Sequence, residues 1–362
     1  MLCLLTVLHL GTPSAQEISA VPLSSAPDYC PAYTESAVYR RPHRVVSIDP
    51  SDDWIQTVES ATAGTEVLFS DGTYYLDRAL VQVGDGVTLR SASGNRESVV
   101  IRGSGYGKPS QGLVIAGDRV TVADLTVTGL RDHGIYVKPE ISGGVAPLIY
   151  NVHVYDIGTQ HIKSNTGSRD GIIACSKIGY TANGAKGDYN GAIDLHGAQA
   201  WIIRDNDIYN ITGDGSGCNV NRDCNRYLSG PAILVWKDSK NTVVERNQIT
   251  ESFRNIAFGL GSLHQGGIIR HNTIYRSSPG DAGIELQGAS GTVVENNTVL
   301  LADRYRGAIE YRETRHITVR SNQVTSLWNR GENVGATVSG NTVVVVPARF
   351  KKRVTGCSSS NP

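Results

Sequence analysis

Several short segments of the chain carry acidic, basic and aromatic residues at alternating positions. Four successive segments of this kind are GIYVK, HIKSN, AIDLH and AILVW. Their alternate residues include Tyr136, Lys163, Asp194, His196 and Trp236. Lysine, histidine and tyrosine can carry a proton to or from a substrate when their pKa is suitable, a carboxylate can orient them, and tryptophan can stack on an apolar ring face. If the fold gathers these residues, the set suits proton-transfer chemistry.

The elements that would gather them are the units of a repeat. TVVERNQITES begins at Thr242, and similar segments begin at Gly267, Thr292 and Ile317. A polar residue, usually asparagine, recurs in successive units at Asp124, Asn151, Ser176, Asn206, Asn247, Asn272, Asn297, Asn322 and Asn341. Most of these spacings are close to 25 residues. A fixed period of this length is typical of a solenoid.

Each unit has the pattern of a β-branched strand, an asparagine, a second short strand, a turn and a third strand. Alternating apolar residues with Gly, Asn and Asp turns favour strands over helices. The sequence therefore predicts an all-β fold, a right-handed parallel β-helix of about ten coils with three short strands per coil. We expect asparagine at the bends because it tolerates a left-handed backbone, and stacked copies can hydrogen-bond to one another.

The third strands would form an outer face on which the polar residues stand in two columns, because side chains alternate along a strand. The first predicted column contains Tyr136, Lys163, Asp194, Leu234, Ala257, Glu285 and Glu310. The second contains Lys138, Asn165, His196, Trp236, Gly259, Gln287 and Arg312. Neighbours in a column would be about 4.8 Å apart. The long insertion at 212–230 would form one wall beside this face, and the segments NTGSRD (165–170) and TANGAKGDYNG (181–191) could form a second.

The segment 53–346 resembles the pectate-lyase-like β-helix superfamily, with AGTEVLFSDGTYYL and VTLRSASGN similar to its entry coils. HIKSN is similar to the Lys-Ser element of polysaccharide lyase family 6, the alginate and dermatan lyases. That resemblance implies that Lys163 is the base. The paired glutamates that precede this lysine in the family are absent, and Thr159, Gln160 and His161 stand there instead. Calcium is therefore left open as a cofactor.

The resemblance implies an enzyme that cleaves an anionic, uronate-containing polysaccharide by β-elimination. The carboxylate must be neutralised, the C5 proton removed and the leaving oxygen protonated. We expect Lys163 or His196 as base and Tyr136 as acid. The remaining expected roles are orientation of the base by Asp194, substrate binding by Lys138, Asn165 and Trp236, and contacts to outer sugar units by Arg312 and Glu285.

Other interpretations stay open at this point. Lys163 and Asp194 could form only a surface ion pair across coils, and Glu285, Glu310 and Arg312 could form a solvated charged face. A uronate C5-epimerase would use the same fold, although the Asp-Pro-His-Asp motif of those enzymes is absent. A glycoside hydrolase would need a pair of carboxylates. A non-catalytic β-helix that binds glycans or a surface is a further alternative.

The composition and the chain ends suggest an exported protein. The formal net charge is zero, which gives no reason to expect nucleic-acid binding. The apolar start predicts a signal peptide over 1–15, followed by an extension over 16–50, the β-helix over 51–347 and a tail over 348–362. We expect a secreted monomer with no membrane span.

The cysteines could form disulfides, which would fit an exported protein. Cys218 and Cys224 could close a small disulfide in a polar loop. Cys175 has the surroundings of a buried core residue. Cys30 and Cys357 lie near opposite ends, and whether they pair is left open.

Overall fold

The structure, a computed structural model, describes residues 16–17, 30–78, 80–108, 110–182, 184, 190–213, 229–278, 280–302 and 307–350. The predicted signal peptide and Cys218, Cys224 and Cys357 lie outside these residues. Within them the regular structure is almost all β, and every strand pairs in parallel with its neighbours in the sheet. No helix in the described part of the chain has the length and hydropathy to cross a membrane.

Sheet 1 is the predicted third-strand face and contains ten strands. They are Val81–Val83, Gln111–Ile115, His133–Val137, Gln160–Ser164, Gly191–His196, Pro231–Trp236, Arg254–Gly259, Ile284–Gln287, Ile309–Arg312 and Leu327–Asn329.

Sheet 2 has twelve strands and holds the β-branched first strand of each unit. They are Arg44–Ile48, Thr65–Phe69, Thr88–Ser91, Thr121–Ala123, Leu148–Tyr150, Ile172–Ala174, Ile202–Arg204, Val243–Glu245, Ile268–Arg270, Val293–Glu295, Thr318–Arg320 and Thr337–Ser339.

Sheet 3 also has twelve strands and follows sheet 2 after a two-residue bend. They are Gly72–Tyr75, Val99–Arg102, Thr126–Leu130, His153–Ile157, Lys177–Gly179, Asp207–Tyr209, Gln248–Thr250, Thr273–Arg276, Thr298–Leu301, Gln323–Val324, Thr342–Val345 and, paired with the last of these, Gln16–Glu17.

Sheet 4 is an addition that the repeat did not predict, because its strands are only two residues long. They are Ser239–Lys240, His264–Gln265, Ala289–Ser290, Thr314–Arg315 and Asn333–Val334. Each coil that contains such a strand runs through sheets 2, 3, 1 and 4 in order, so the fold is a parallel β-helix with three or four strands per coil.

The core is the column of apolar side chains inside the coils. It consists mainly of Ile, Val and Leu, such as Ile162, Ile193 and Ile233, which stack in register on sheet 1 and are fully buried. Burying such a side chain contributes about 1.5–3 kcal/mol. The α-helix Trp54–Glu59, capped at Asp53, closes the N-terminal end. The other helical segments are the 3₁₀ turns Tyr33–Glu35 and Ala348–Phe350 and the short helix Pro139–Ser142.

The asparagine ladder is present, but its predicted conformational role is wrong for most of its members. Asn247 donates its side-chain N–H to Oδ1 of Asn272 at 2.9 Å, and Asn272 donates to Asn297 at 3.0 Å. Asp124 and Asn151 are left-handed as predicted, but at the later bends the left-handed residue is the preceding one, such as Arg246 or His271. The ladder asparagines therefore recur because they satisfy buried backbone and side-chain polar groups, not because of their backbone angles.

The N-terminal segment is fastened across sheet 2, and this corrects the expectation for Cys175. Cys175 is buried, as predicted, but it forms a disulfide with Cys30 across a sequence separation of 145. The backbone N–H of Tyr33 donates to the carboxylate of Asp124 at 3.1 Å. Tyr150 donates its hydroxyl to the carbonyl of Pro31 at 2.9 Å. Residues 30–33, called the strap below, are thus held by one disulfide and by these hydrogen bonds.

Candidate active site

The strand register of sheet 1 places the predicted residues on neighbouring coils. Tyr136 pairs with Lys163, and Lys163 pairs with Asp194. In the second column His196 pairs with Trp236. Because the core isoleucines occupy the intervening positions, these side chains all leave the sheet on its outer side. The register predicted from the period of two is confirmed.

The degree of burial differs from the prediction of an exposed face. Lys163 is 5% exposed, Asp194 2% and Tyr136 7%. Each charged group lies against side chains of the same coil and of the next one, and these cover it. The Lys163–Asp194 contact is therefore a buried ion pair, and the alternative of a solvated surface pair is wrong.

Lys163, Asp194 and His196 form one compact cluster. Nζ of Lys163 lies 3.0 Å from Oδ2 of Asp194 and 3.3 Å from Nε2 of His196. Nε2 of His196 lies 3.1 Å from the same carboxylate oxygen. The His196 side chain is the most accessible of the three at 14%. One carboxylate oxygen thus holds both groups that could carry a proton.

Trp236 completes the coordination of the carboxylate from the next coil. It donates its indole N–H to Oδ1 of Asp194 at 2.9 Å, and its ring meets that of His196 edge to face at 5.1 Å. Burial by itself raises the pKa of Asp194, but the hydrogen bond from His196 and the charge of Lys163 lower that pKa below its usual value. Asp194 is therefore an anion at neutral pH.

His133 also belongs to this cluster, although the sequence analysis did not select it. Its ring lies 4.5 Å from that of Tyr136, and its Nδ1 lies 3.0 Å from Oγ1 of Thr159. The Thr159 hydroxyl donates its hydrogen to the carbonyl of Asp132, so its oxygen accepts from Nδ1–H of His133. Burial and the charge of Lys163 lower the pKa of His133 to about 4, which keeps the ring neutral.

His133 was missed because it precedes the alternating segment GIYVK and stands at the start of its strand. The signals in the sequence were its place in RDHGI (131–135), which is only a faint echo of the Asp-Pro-His-Asp motif, and its position three residues before Tyr136.

Lys138 and Asn165 stand at one end of the second column, beside the short helix Pro139–Ser142. Asn165 donates its amide to Oε1 of Glu140 at 2.7 Å, and Nζ of Lys138 lies 3.9 Å from the same oxygen. Nζ of Lys138 is also 5.3 Å from the centre of the Tyr136 ring. These two predicted binding residues therefore adjoin the cluster on the side of Tyr136.

Glu285, Glu310 and Arg312 form a separate buried network, and the expectation of a solvated face is wrong. Glu285 is 2% exposed and lies 2.7 Å from Nη2 of Arg254 and 2.8 Å from Nη2 of Arg312. Glu310 is fully buried and lies 2.8 Å from Nη1 of Arg330. Burial raises the pKa of Glu285 against the opposing charge of Arg254. Glu285 and Arg312 are therefore already bound in ion pairs, which a sugar would have to displace to make the predicted contacts.

The residues that replace the family's paired glutamates do not fit a calcium site. His161 is fully buried, and its ring nitrogens contact the carbonyls of Gly191 and Gly179 at 2.9 Å. Thr159 is bonded to Asp132. In the described segments no group of three or more His, Cys, Asp or Glu residues is arranged to hold a metal ion. Calcium prefers six to eight oxygen ligands, which these side chains do not supply.

Comparison with known proteins agrees with the fold. The family described as "Right handed beta helix region" matches residues 191–346. A search of curated protein sequences gave no match. Among solved structures, the alginate lyase from Paenibacillus sp. str. FPU-7 has 16% identity and a TM-score of 0.53, covering 82% of this chain and 99% of that one.

Two further solved structures are similar at the same level. The pectate lyase Pel9A has 11% identity and a TM-score of 0.52, covering 83% of this chain and 80% of that one. The polygalacturonase from Erwinia carotovora ssp. carotovora has 11% identity and a TM-score of 0.51, covering 84% of this chain and 96% of that one. The chain folds as a right-handed parallel β-helix, and residues 191–346 match the family model of that fold. At such identities the solved structures show the fold alone and do not select a reaction.

Proposed function

We propose that the protein is a polysaccharide lyase that cleaves a uronic-acid-containing polysaccharide by β-elimination. The observation that carries the proposal is the buried contact of Lys163 with Asp194 and His196, one coil from Tyr136. This arrangement joins a cation, a proton acceptor and a phenol on one face. Those are the three groups that β-elimination from a uronate requires.

His196 is the better candidate for the base. A carboxylate 3.0 Å from Nζ of Lys163 stabilises the ammonium form, and an ammonium group cannot accept a proton. Asp194 can instead accept from Nε2–H of His196, which leaves Nδ1 as the unprotonated nitrogen. The assignment of Lys163 as the base, which the family resemblance implied, is therefore the second choice.

In the proposed reaction Lys163 neutralises the sugar carboxylate, which acidifies the C5 hydrogen. His196 removes that proton, the electron pair forms the C4–C5 double bond, and the bond from C4 to the glycosidic oxygen breaks. The hydroxyl of Tyr136 donates its proton to the leaving oxygen. Lys138, beside the Tyr136 ring, adds positive charge on the same side.

Two other reactions remain distinguishable from this one. A C5-epimerase would share the proton abstraction but return a proton to C5 without breaking the glycosidic bond. A hydrolase would need two available carboxylates, whereas Glu285 and Glu310 are bound to arginines. The cluster at Asp194 thus supports elimination or epimerisation over hydrolysis.

The test is an ultraviolet absorbance screen of the purified protein against alginate, pectate, chondroitin and dermatan sulfates, hyaluronan, heparan sulfate and glucuronan, with and without calcium. Elimination produces a C4–C5 double bond conjugated to the carboxylate, which absorbs. We expect a rise on one polymer that His196→Ala abolishes. His43→Ala is the control, because His43 is an exposed histidine outside the site. A flat trace with proton exchange at C5 would indicate an epimerase and overturn the lyase proposal.

The roles of Lys163 and His196 can be separated by Lys163→Arg. If Lys163 only supplies positive charge, arginine retains part of the activity, since it keeps the charge. If Lys163 is the base, Lys163→Arg is as inactive as Lys163→Ala, because guanidinium does not release its proton at neutral pH. Lys240→Ala, at an exposed lysine on sheet 4, is the control.

A further inference from the structure

The outer face of sheet 1 continues well beyond the cluster at Asp194. Glu310 pairs with Trp328, so Trp328 stands in the same column as Lys163 and Asp194. It lies on the strand Leu327–Asn329, four coils further than the strand that carries Trp236. At the spacing of parallel strands these coils are about 19 Å apart.

The two accessible tryptophans of the protein both stand on this face. The chain has four tryptophans, all of them in described segments. Trp54 and Trp201 are core residues at 5% and 0% exposure. Trp236 is half-buried at the Asp194 cluster, whereas Trp328 is 42% exposed. Exposing an indole ring to water on a sheet face is unfavourable, and the apolar face of a pyranose ring can stack on it and cover it.

The surroundings of Trp328 supply polar groups beside the ring. The guanidinium of Arg330 lies 5.5 Å from the centre of the Trp328 ring, with Nη1 held by Glu310 at 2.8 Å. The Arg330 side chain is 29% exposed and lies over one side of the Trp328 ring, so a sugar would stack on the other side of the ring with the guanidinium N–H donors nearby. A stacking ring flanked by a guanidinium matches a sugar that carries a carboxylate.

The floor between the two tryptophans is low enough for a chain to lie along it. Ala257 and Gly259 occupy the outward positions of the first intermediate coil and are buried. On the next two coils Glu285 and Glu310 are buried, and Gln287 and Arg312 are half-buried. A side chain added at Gly259 would collide with the carbonyl of Gln287, so this position remains without a side chain. An extended polysaccharide that lay on this floor along the stacked coils would reach from Trp236 to Trp328.

We propose that Trp328 and Arg330 form a distal subsite that stacks one acidic pyranose unit of the same chain that Trp236 binds at the Asp194 cluster. The proposal rests on the proposed function for the identity of the chain, but binding at Trp328 does not depend on catalysis. Only polymers or oligomers long enough to span four coils could contact both tryptophans. Shorter oligomers would reach only one of the two tryptophans.

The experiment measures binding rather than turnover. The full chain and its Trp328→Ala variant are run by affinity electrophoresis through gels containing alginate or pectate, with a neutral glucomannan gel as the uncharged comparison. We expect Trp328→Ala to weaken binding to one of the acidic polymers about tenfold, a loss typical of a central aromatic contact. Trp328→Phe should restore most of it. Val338→Ala, at a valine that is also 42% exposed but stands on sheet 2, should leave binding unchanged.

Length dependence gives the second arm. The second measurement is a fluorescence titration with oligomers of the acidic polymer that binds in the gel experiment. Trp328→Ala should weaken the binding of long oligomers and leave the binding of trimers unchanged. Equal loss for all lengths, or no loss for any, would overturn the distal subsite. Acrylamide quenching of the protein alone tests a second copy of the chain as the occupant. If Trp328 is protected at high protein concentration and exposed on dilution, a second copy covers it and the distal subsite is overturned.

The two proposals fail in different ways. A protein that shows no elimination product yet binds long acidic chains through Trp328 keeps the subsite and loses the lyase. A protein that forms product, with the same KM for polymer in the Trp328→Ala variant as in the natural chain, keeps the lyase and loses the subsite.

Discussion

Trp236 donates its indole N–H to Oδ1 of Asp194 at 2.9 Å from the neighbouring coil of the solenoid. The other oxygen of the carboxylate contacts Lys163 and His196. The two oxygens therefore have separate functions, because one fixes the orientation of the carboxylate and the other holds the groups that would carry protons. A buried anion with all of these contacts is stable only as long as each partner remains.

Trp236→Phe keeps an aromatic ring at this position and removes the indole N–H donor. We expect the pKa of Asp194 to rise and activity to fall about tenfold, since a hydrogen bond to a charged group contributes about 1.5–3 kcal/mol. The lowered pKa of Asp194 contributes stability that is present above the unfolded value, about 3.9, and is lost as pH falls through the folded value. In the variant the folded value lies closer to the unfolded one, so less stability should be lost in acid. Urea unfolding at pH 7 and pH 3 measures the loss, and an unchanged pH dependence would show that the indole N–H is unimportant.

Removing either partner of the ion pair should destabilise the protein. Asp194→Asn leaves the ammonium of Lys163 buried without its anion, and Lys163→Met leaves the carboxylate without its cation. Each change should cost about 3–5 kcal/mol, while the double variant should cost less than the sum. A double-mutant cycle by urea unfolding gives the coupling. Additive costs would mean that the two groups do not interact in solution.

The disulfide between Cys30 and Cys175 should contribute to stability through the strap. Cys30→Ser should lower the free energy of unfolding by about 2–5 kcal/mol, because a closed loop restricts the unfolded chain. Tyr33 and Tyr150 would keep their hydrogen bonds, so the strap should loosen rather than unfold the coils. Thermal melting with and without reductant is the measurement. If the reductant lowers the melting temperature of Cys30→Ser as much as that of the natural chain, the contribution comes from other cysteines.

The sequence identified the outward residues of sheet 1 because side chains alternate strictly along a strand, so one buried isoleucine fixes the direction of its neighbours. It could not give the burial of Lys163 or Asp194, which depends on side chains of other coils. The partner of Cys175 could not be predicted for a similar reason, since the strap reaches it across 145 residues. His133 is the first residue of its strand and precedes the alternating segment, so the alternation did not select it.

The ladder gives a case in which the residue was identified and its role was not. Asn297 donates to Oδ1 of Asn322 at 3.0 Å, whereas the left-handed backbone belongs to Asn296. Asn297→Ala should therefore cost about 1–3 kcal/mol, because it leaves buried groups without partners. Asn296→Gly should cost almost nothing, since glycine accepts that conformation. Urea unfolding of both variants compares them, and the reverse order would restore the conformational explanation.

His264 makes the stability of the solenoid sensitive to acid. It is fully buried against Phe258, its ring nitrogens have no hydrogen-bond partner in the described structure, and burial lowers its pKa to about 3. His264 binds a proton near pH 6.5 in the unfolded chain but not in the folded chain. Its contribution to stability is therefore constant above that pH and is lost as the pH falls from about 6.5 toward 3. His264→Leu should reduce this slope, and it should also raise stability at pH 7 by removing two buried unpaired nitrogens.

Urea unfolding between pH 7 and pH 4 tests this, with the exposed His43→Leu as the control. An unchanged slope in His264→Leu would assign the acid sensitivity to His133 and His161, whose pKa values burial also lowers to about 4.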